Sequence, residues 1–364
     1  MPARIGWGIL GAGTMAKAFA RGLKAVPDAR LVAVASRTPG RLQEMGKLFS
    51  VSRLYDDYPA LLGDRSVDIV YIATTNQLHC ELSLLCLEAG KPVLCEKPFA
   101  LHAAEARAVV ECARRRHVFC MEAMWTRFFP LMRALPELLR SGDVGRVRML
   151  RADFGSRMPF APNHRWFDPA LGGGALLDLG VYPLSLAFYL FGRPRAIVTE
   201  ASIGATGVDE QAAAVLEYAT GQIAVISCSI VTRLPTEAFI VGDRGQLRIH
   251  HPMYRPSAYS LTRHPAPGDD APRGLSALAS AASGLRRVST RFGHALDRMR
   301  GREPGVTMIP FVGNGYNYEA AEAMRCLRAG ETESLVMPLD ETLAIMETLD
   351  AIRQQWHTSP ERTA

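Results

Sequence analysis

The sequence lacks the patterns that mark several specialised classes of protein. Its seven cysteines include no CxxC pair, and their odd number also argues against a framework of disulfides. No apolar run approaches the roughly 18 residues that a membrane-spanning helix needs. The chain begins MPARIGWGILGAG and enters a strand pattern at once, which leaves no room for a secretory signal peptide. We therefore expect a cytoplasmic protein with reduced cysteines, no metal site and no stable membrane association.

A strong excess of one charge is also missing. The chain has 42 basic and 36 acidic residues, and its net charge of +6 is spread along the sequence, so we expect no nucleic-acid partner. The 48% hydrophobic and 21% charged content is that of an ordinary globular protein. The length of 364 residues exceeds the usual size of one domain and therefore predicts two domains around one cleft.

The first third of the chain alternates short apolar runs with helical patterns. The apolar runs are IGWGIL, RLVAVAS, VDIVYIAT, KPVLCE and VFCMEAMW, and helical stretches separate them. Strands that are apolar on both faces and are joined by helices form parallel sheets covered on both sides. Residues 1–124 are thus predicted to be an α/β Rossmann domain with a doubly wound parallel sheet, a fold that binds dinucleotides.

The pattern changes in the rest of the chain. Helices are predicted near 131–140, 318–327 and 339–356, and the strands between them are joined by short turns such as ATGQ and GDRGQ. Residues 125–364 are therefore predicted to be an α+β domain with a large, mostly antiparallel open sheet. We expect this domain to bind the substrate and to form a homodimer or a higher homo-oligomer.

One segment, residues 256–305, fits neither pattern. Its first part, 256–274, is rich in proline, glycine, aspartate and serine and is predicted to be a mobile loop. Apolar residues then recur at alternating three- and four-residue spacings over 275–299, which predicts an amphipathic helix with arginines mainly off its apolar seam. Such a helix needs a partner surface on its own chain or on another subunit. Contact with an anionic membrane and disorder are the alternatives.

The stretch GILGAGTMAKAF carries a dinucleotide-binding motif between a predicted strand and a predicted helix. Gly11, Gly13 and Ala16 match G-x-G-x-x-A. Gly11 permits a tight turn, Gly13 lets the backbone approach a pyrophosphate, and Ala16 lets the helix pack closely. Because the start of this helix attracts phosphates, we expect Thr14 and Met15 in its first turn to border the cofactor as well.

The end of the second predicted strand lacks the acidic residue that NAD-selective sites use to bind the ribose 2′-hydroxyl. In VASRTPGR, Ser36 and Arg37 stand at that position and offer a hydroxyl and a guanidinium group, which suit a 2′-phosphate. A solvent-exposed loop arginine is the ordinary alternative. We expect NADP to be the cofactor in preference to NAD.

The fifth predicted strand ends in VLCEKPFA, at the edge where open α/β sheets bind ligands. Glu96 and Lys97 stand there, and Pro98 restricts the backbone of Lys97 so that its ammonium group is aimed. A lysine beside a nicotinamide can bind a substrate hydroxyl, stabilise a developing alkoxide and lower the pKa of a neighbouring phenol. A phenol is available in GGGALLDLGVY, where a helix would place Asp178 and Tyr182 on one face.

Four stretches, GILGAGTMA, ATTNQLH, AGKPVLCEKPFA and GGGALLDLGVYPL, resemble in this order the Gfo/Idh/MocA oxidoreductases. The resemblance extends over nearly the whole chain apart from residues 256–305, and the Glu-Lys-Pro turn is its most specific element. CLEAGKPVLCEKP and FCMEAMWTRFFP are most similar to the branch with dimeric dihydrodiol dehydrogenase, NADP-dependent xylose dehydrogenases and glucose-fructose oxidoreductase. Many family members have a histidine at the position of Tyr182, whereas members of this branch resemble the present chain in having a tyrosine there.

The resemblance implies roles for individual residues. Lys97 and Tyr182 would be catalytic, with Asp178 beside them. The residues implied to border the cofactor are Thr74, Asn76, His79, Glu96 and Lys97. The residues implied to line the substrate side are Trp125, Arg127, Phe154 and Trp166.

The predicted reaction is a reversible hydride transfer between nicotinamide and a carbinol carbon of a sugar, sugar derivative or cyclic diol. Tyr182 would move the hydroxyl proton, which requires a pKa about 2 below the usual phenol value near 10. Lys97 would lower that pKa, and Asp178 would orient Lys97 or bind a substrate hydroxyl. The alternatives are a glycosidase that uses a tightly bound nicotinamide transiently and a dinucleotide-binding regulator without chemistry.

Overall fold

The computed structural model describes residues 4–264 and 305–358, and its first layer is a six-stranded parallel sheet. The strand order is β3-β2-β1-β4-β5-β6, so the chain starts in the middle and winds outward twice. This is the doubly wound sheet that the sequence predicts. Its strands are β1 (Ile5–Leu10), β2 (Ala29–Ala35), β3 (Arg53–Tyr55), β4 (Ile69–Ile72), β5 (Val93–Glu96) and β6 (Cys120–Ala123).

Helices connect these strands and cover the sheet, which explains why β1, β4, β5 and β6 are mostly apolar and are buried along their whole length. The helices are α1 (Thr14–Leu23), α2 (Pro39–Phe49), α3 (Tyr58–Leu62), α4 (His79–Glu88) and α5 (Ala103–Arg116). The carboxyl ends of β1, β4 and β5 meet at one edge, where ligands bind in such sheets.

The second layer is an eight-stranded sheet in the order β14-β13-β12-β11-β7-β10-β9-β8. All of its neighbouring strands are antiparallel except β7 and β10, which confirms the predicted mostly antiparallel sheet. Its strands are β7 (Val147–Gly155), β8 (Ala196–Ile203), β9 (Asp209–Glu217), β10 (Ile223–Ser229), β11 (Ala238–Gly242), β12 (Gly245–Ile249), β13 (Ala258–Arg263) and β14 (Val306–Met308).

The presence of β13 corrects part of the predicted loop over residues 256–274. Ala258–Arg263 pairs with β12 on one side and with β14 on the other, so backbone pairing determines its conformation in spite of the nearby prolines. The predicted amphipathic helix over 275–299 lies outside the described residues.

Four further helices lie in the described part of the chain after β6. They are α6 (Pro130–Arg140), α7 (Val181–Phe191), α8 (Tyr316–Ala329) and α9 (Leu339–Thr358). Although α8 follows the second sheet in sequence, it packs against α1 of the first, where the side-chain amide of Asn314 donates to the carbonyl of Ala18 at 2.7 Å. Both halves of the chain therefore contribute to the surroundings of the nucleotide-binding edge.

A helical segment at Pro169–Phe191 lies between β7 and β8 in the chain. It is apolar and long enough to cross a membrane, but 83% of its most apolar 18-residue stretch is buried inside the protein, which is typical of a core helix. The segment is not one regular α-helix, because Leu176–Gly180 forms a π-helical turn before α7 begins. π-Helical turns are frequent at functional sites, and this one contains Asp178.

Candidate active site

The turn between β1 and α1 has the geometry of a pyrophosphate-binding turn. Gly11 has a φ of +108°, and a Cβ there would lie 2.3 Å from a main-chain carbonyl oxygen just after β4. A Cβ on Gly13 would have no atom within 4 Å, so this side of the turn is open. Ala16 is buried against the sheet, while Thr14 and Met15 are exposed in the first turn of α1. Among the described residues no side chain caps α1, so its first N–H groups are available to an anion.

The loop after β2 carries the two residues predicted to select NADP. Ser36 is buried, and its hydroxyl oxygen accepts a hydrogen bond from the backbone N–H of Thr38 at 3.2 Å. Arg37 is exposed, and its guanidinium lies 5.6 Å from the ring centre of Tyr58. Ser36 therefore shapes the loop, whereas Arg37 presents its charge to solvent at the edge of the nucleotide site.

The loop after β4 contains three predicted cofactor-side residues that differ in exposure. Thr74 is partly exposed, whereas Asn76 is buried and its side-chain amide donates to the carbonyl of Gly172 at 3.3 Å. His79 is 1% exposed, and its Nδ1 lies 2.8 Å from the carbonyl oxygen of Pro98. Burial lowers the pKa of His79 to about 4, so it is neutral near pH 7. His79 thus contacts the Glu-Lys-Pro turn from inside the fold.

Glu96 stabilises this turn by hydrogen bonds on its buried side. It is 5% exposed, its Oε1 accepts from the hydroxyl of Tyr71, and its Oε2 accepts from the backbone N–H of Lys97 at 3.2 Å. Burial raises the pKa of Glu96, although the hydrogen bond from Tyr71 acts in the opposite direction. Both carboxylate oxygens contact the protein, so the position of Glu96 favours a structural role over direct contact with the cofactor.

Lys97 lies at the carboxyl end of β5 and reaches across to the second layer. Its Nζ donates to the backbone carbonyl of Asp178 at 2.8 Å and to Oδ1 of the same residue at 3.0 Å. The same Nζ lies 5.0 Å from the ring centre of Tyr182. Burial alone would lower the pKa of Lys97, but the negative charge of Asp178 raises it above its usual value. Lys97 is therefore a charged ammonium group beside a phenol.

Asp178 is surrounded by donors from three positions in sequence. Besides Lys97, the guanidinium of Arg165 donates to both of its oxygens at 3.0 and 3.3 Å, and the indole N–H of Trp166 donates to Oδ2 at 2.9 Å. Burial would raise the pKa of Asp178, but the charges of Lys97 and Arg165 outweigh it and hold the pKa well below its usual range. The structure thus brings Lys97, Asp178 and Tyr182 together as predicted, with Asp178 in contact with the ammonium group.

The expected acidification of Tyr182 is wrong for this arrangement. Its side chain is 8% exposed, and burial raises its pKa to about 12 although Lys97 favours the phenolate. Negative charge on Glu96 and Asp178 raises this pKa further. Asp178 forms an ion pair with Lys97 and neutralises much of the positive charge that was expected to lower the pKa of Tyr182. The Tyr182 hydroxyl is therefore protonated near neutral pH and can act as a proton donor.

Aromatic side chains form one wall beside this hydroxyl. The ring of Phe154 lies 5.4 Å from that of Tyr182 and stacks on Tyr254 at 4.6 Å with an interplanar angle of 5°. Trp125 lies 4.6 Å from Tyr316 and also faces Tyr254. Two of the predicted substrate-side residues, Trp125 and Phe154, thus belong to one aromatic cluster with Tyr182. Trp166, a third predicted substrate-side residue, is hydrogen-bonded to Asp178 instead.

Arg127 corrects another prediction. Its side chain is 2% exposed and donates to the hydroxyl and the carbonyl of Ser185 at 2.9 and 2.7 Å. It also forms an ion pair with Glu341 and lies 4.9 Å from the ring centre of Tyr189. These contacts connect the segment after β6 with α7 and α9, so Arg127 is a buried structural residue and does not line the substrate side.

Three residues of the site were missed by the sequence analysis. Arg165 precedes Trp166 in the stretch NHRWF, and a basic residue next to a predicted site residue was the available signal. Tyr254 and Tyr316 come from segments far apart in sequence, where no motif surrounds them. Only the packing of the two layers brings these side chains to the same cluster.

Comparison with known families and relatives gives a consistent result. The sequence model described as "Oxidoreductase family, NAD-binding Rossmann fold" (GFO_IDH_MocA) matches residues 5–124, and the one described as "GFO/IDH/MocA C-terminal domain" matches residues 132–248. The trans-1,2-dihydrobenzene-1,2-diol dehydrogenase of Mus musculus is 34% identical over 96% of both chains. The D-xylose 1-dehydrogenase (NADP(+)) of Hypocrea jecorina is 33% identical over 99% of this chain and 94% of its own.

Solved structures with the same fold are more distant in sequence. The 3-ketoreductase KijD10 from Actinomadura kijaniata, in complex with NADP and TDP-benzene, superposes with a TM-score of 0.78 at 23% identity, over 96% of this chain and 97% of its own. An aldose-aldose oxidoreductase from Caulobacter crescentus complexed with glycerol gives the same TM-score, identity and coverage. At this level of identity the similarity establishes the arrangement of both sheets.

Proposed function

The chain belongs to the Gfo/Idh/MocA family of oxidoreductases, and we propose that it is an NADP-dependent enzyme that transfers a hydride to or from a carbinol carbon. The substrate class is a sugar, a sugar derivative or a cyclic diol. Two relatives of which nearly the whole length is matched are named for a dihydrodiol and for D-xylose, and this supports that range. The contact of Lys97 with Asp178, beside the Tyr182 ring, is the observation that carries the proposal.

The nucleotide end fits NADP on several counts. The open side of the turn at Gly13 and the uncapped start of α1 suit a pyrophosphate. The exposed guanidinium of Arg37 stands where an NAD-selective site would have a carboxylate, and a 2′-phosphate would pair with it. Thr74 remains a proposed contact at the nicotinamide end. A bound NADP would supply or accept the hydride.

The protein's own residues would manage the proton and the oxygen of the substrate. In the reducing direction, the neutral hydroxyl of Tyr182 donates its proton to the carbonyl oxygen, and in the oxidising direction the phenolate takes a proton back. Among the described residues, the Lys97 ammonium group donates two hydrogen bonds to Asp178, and its third N–H is left for the substrate oxygen. Asp178 keeps Lys97 charged and oriented, so the ammonium group stabilises negative charge on that oxygen and on the phenolate.

The second sheet offers a surface for the proposed homodimer. Its outward face carries exposed apolar side chains on adjacent strands, and Val198 of β8 is paired directly with Val215 of β9. Met149 and Ile223 extend this face across β7 and β10. Large exposed apolar patches are typical of protein interfaces. We propose that a second copy covers this face, in a cytoplasmic enzyme that needs no nucleic acid or membrane partner.

The proposal is tested with a substrate panel and both cofactors. The purified protein is assayed with trans-1,2-dihydrobenzene-1,2-diol, D-xylose, further aldoses and ketoses, and dicarbonyl compounds, each with NADP(H) and with NAD(H). We expect one equivalent of NADPH per substrate oxidised and a kcat/KM at least about tenfold higher with NADP than with NAD. Glycoside cleavage without net redox change would favour the glycosidase, and cofactor binding without turnover would favour the regulator.

A further inference from the structure

A carboxylate from the second sheet binds the start of the continuous helix over 175–191, which forms the second part of the helical segment and carries Asp178 and Tyr182. We call this continuous helix the segment. Asp209 is the first residue of β9 and is 7% exposed. Its Oδ2 accepts the backbone N–H of Leu176 at 2.7 Å, and the carboxylate also accepts the N–H of Ala175. These N–H groups begin the helical segment, where no carbonyl of the preceding turn is available to them. Asp209 therefore binds the segment at its first residues.

The loop before this segment is fitted closely to the carboxylate. Gly174 has a φ of +120°, a conformation that favours glycine, and a Cβ there would lie 2.2 Å from Oδ1 of Asp209. A side chain at this position would thus displace the carboxylate from its donors. Gly174 belongs to the run of glycines in the motif that resembles the family, and the close approach of Asp209 explains why a glycine is needed at this position.

We propose that Asp209 is a positioning residue for Asp178 and Tyr182, and this inference rests on the proposed function. Leu176, which Asp209 holds, stands two residues before Asp178 in the π-helical turn. The carbonyl oxygen and Oδ1 of Asp178 in turn hold Nζ of Lys97. A displacement at the start of the segment therefore moves both the acceptors of the ammonium group and the hydroxyl of Tyr182. Catalysis is sensitive to such displacements, and about 1 Å can cost about 100-fold in rate.

The charge of this carboxyl group changes near neutral pH. Burial raises the pKa of Asp209 to about 7, and the N–H groups of Leu176 and Ala175 act in the opposite direction. From the elements packed against it, Arg353 of α9 favours the charged form, and Cys228 of β10 also faces it. A protonated carboxyl is a weaker acceptor than a carboxylate. The hold on the segment should therefore weaken as the pH falls through about 7.

The test compares Asp209→Asn, Asp209→Ser and Asp209→Ala in the full-length protein. Asparagine and serine keep one good acceptor for a helix start, whereas alanine keeps none. We expect kcat to fall about 10-fold in the first two and about 100-fold in the third, with the KM for NADP unchanged. The decrease of the wild-type kcat below about pH 7 should be absent in Asp209→Asn. Hydrogen–deuterium exchange of the peptide that contains 175–182 should accelerate in the same order.

Asp153→Asn is the matched control. Asp153 is a buried carboxylate of the same sheet that accepts the backbone N–H of Thr236 at 2.6 Å, in a loop that contains none of the proposed catalytic residues. It should lower the melting temperature and leave kcat and its pH profile unchanged. Wild-type kcat in all three Asp209 variants would overturn the proposal even if exchange accelerates. A general loss, in which kcat and the melting temperature fall together and the KM for NADP rises, would overturn it as well. The exchange measurement does not depend on Tyr182 being catalytic, so a failure of the proposed function would be recognised separately.

Discussion

The nucleotide end and the catalytic end of this site are constructed from the chain in different ways. The nucleotide end uses one β–α turn and one loop, all within Gly11–Arg37, and its main feature is the backbone of Gly13. The catalytic end joins Lys97 from the first sheet with Asp178 and Tyr182 from the helical segment of the second half. The first therefore depends on local conformation and the second on tertiary packing. Substitutions at the two ends should accordingly change different kinetic constants.

The largest effect is expected for the two groups that act on the substrate oxygen. Tyr182→Phe removes the proton donor, and Lys97→Met removes the ammonium group while keeping much of the side-chain volume. Either change should lower kcat about 1,000-fold, since general acid catalysis contributes about 100- to 10,000-fold. The KM for NADP should change little, because the pyrophosphate and 2′-phosphate contacts lie at the other end. Steady-state kinetics and a fluorescence titration with NADPH measure both quantities, and full turnover of Tyr182→Phe would refute the assignment.

The next effect concerns Asp178 and its partner Arg165, whose substitutions should change the pKa of Lys97 in opposite directions. Asp178→Asn removes the negative charge that raises the pKa of Lys97, so burial should lower that pKa and move the alkaline limb of kcat/KM to lower pH. Arg165→Gln removes a positive charge that lowers the same pKa, so the limb should move to higher pH. We expect kcat to fall about 100-fold in Asp178→Asn and less than about tenfold in the more exposed Arg165→Gln. Shifts in the same direction would mean that Asp178 does not control Lys97 by its charge.

The same contrast explains how far the sequence could predict the molecule. The fold class of both sheets followed from strand and helix patterns, although β3, β13 and β14 did not. Gly11, Gly13 and Lys97 were found because a motif surrounds each of them. Arg127 was misplaced because a short 3₁₀ turn at Trp125–Phe128 directs its side chain into the core, and no periodicity predicts that direction. Arg165 was missed because its function requires contact with a residue that only folding brings near. The pKa of Tyr182 was misjudged because burial, which opposes the phenolate, depends on the packed structure.

A third prediction tests the local character of the nucleotide end. Arg37→Ala should raise the KM for NADP about 10- to 100-fold, since a hydrogen bond to a charged group contributes about 1.5–3 kcal/mol. The kcat with NADP and the KM for NAD should stay the same, because the catalytic end is unchanged. Adding Ser36→Asp should reverse the preference towards NAD, as a carboxylate repels the 2′-phosphate and accepts from a 2′-hydroxyl. Arg30→Ala, an exposed arginine of β2, is the control and should leave all constants unchanged.

The smallest effect should come from a carboxylate that resembles Asp178 in its surroundings but lies beside the first sheet, just before β4. Asp64 is buried and accepts from Arg53 at 2.9 Å, from the hydroxyl of Tyr55 at 3.0 Å and from Ser66 at 2.7 Å. Burial would raise the pKa of Asp64, but the hydrogen bonds, first those from Ser66, lower it from 3.8 to about 2. Because the folded pKa is depressed, this carboxylate stabilises the fold above pH 3.8, and its contribution is lost as the pH falls through about 2.

Asp64→Asn should therefore lower the free energy of unfolding by about 1–3 kcal/mol at pH 7, since it removes the charged acceptor of the donors on Arg53, Tyr55 and Ser66. Denaturant unfolding of both proteins at pH 7, 5 and 3 should show the same difference at pH 7 and 5 and a smaller one at pH 3, because the unfolded wild-type chain binds a proton at this carboxylate below pH 3.8. The kcat and both KM values should be unchanged, in contrast to Asp178→Asn. Asp64 and Asp178 both have an arginine partner and a lowered pKa, but only Asp178 of the two contacts Lys97. A comparable loss of kcat in Asp64→Asn would therefore mean that the contact with Lys97 is not the reason why Asp178 matters for catalysis.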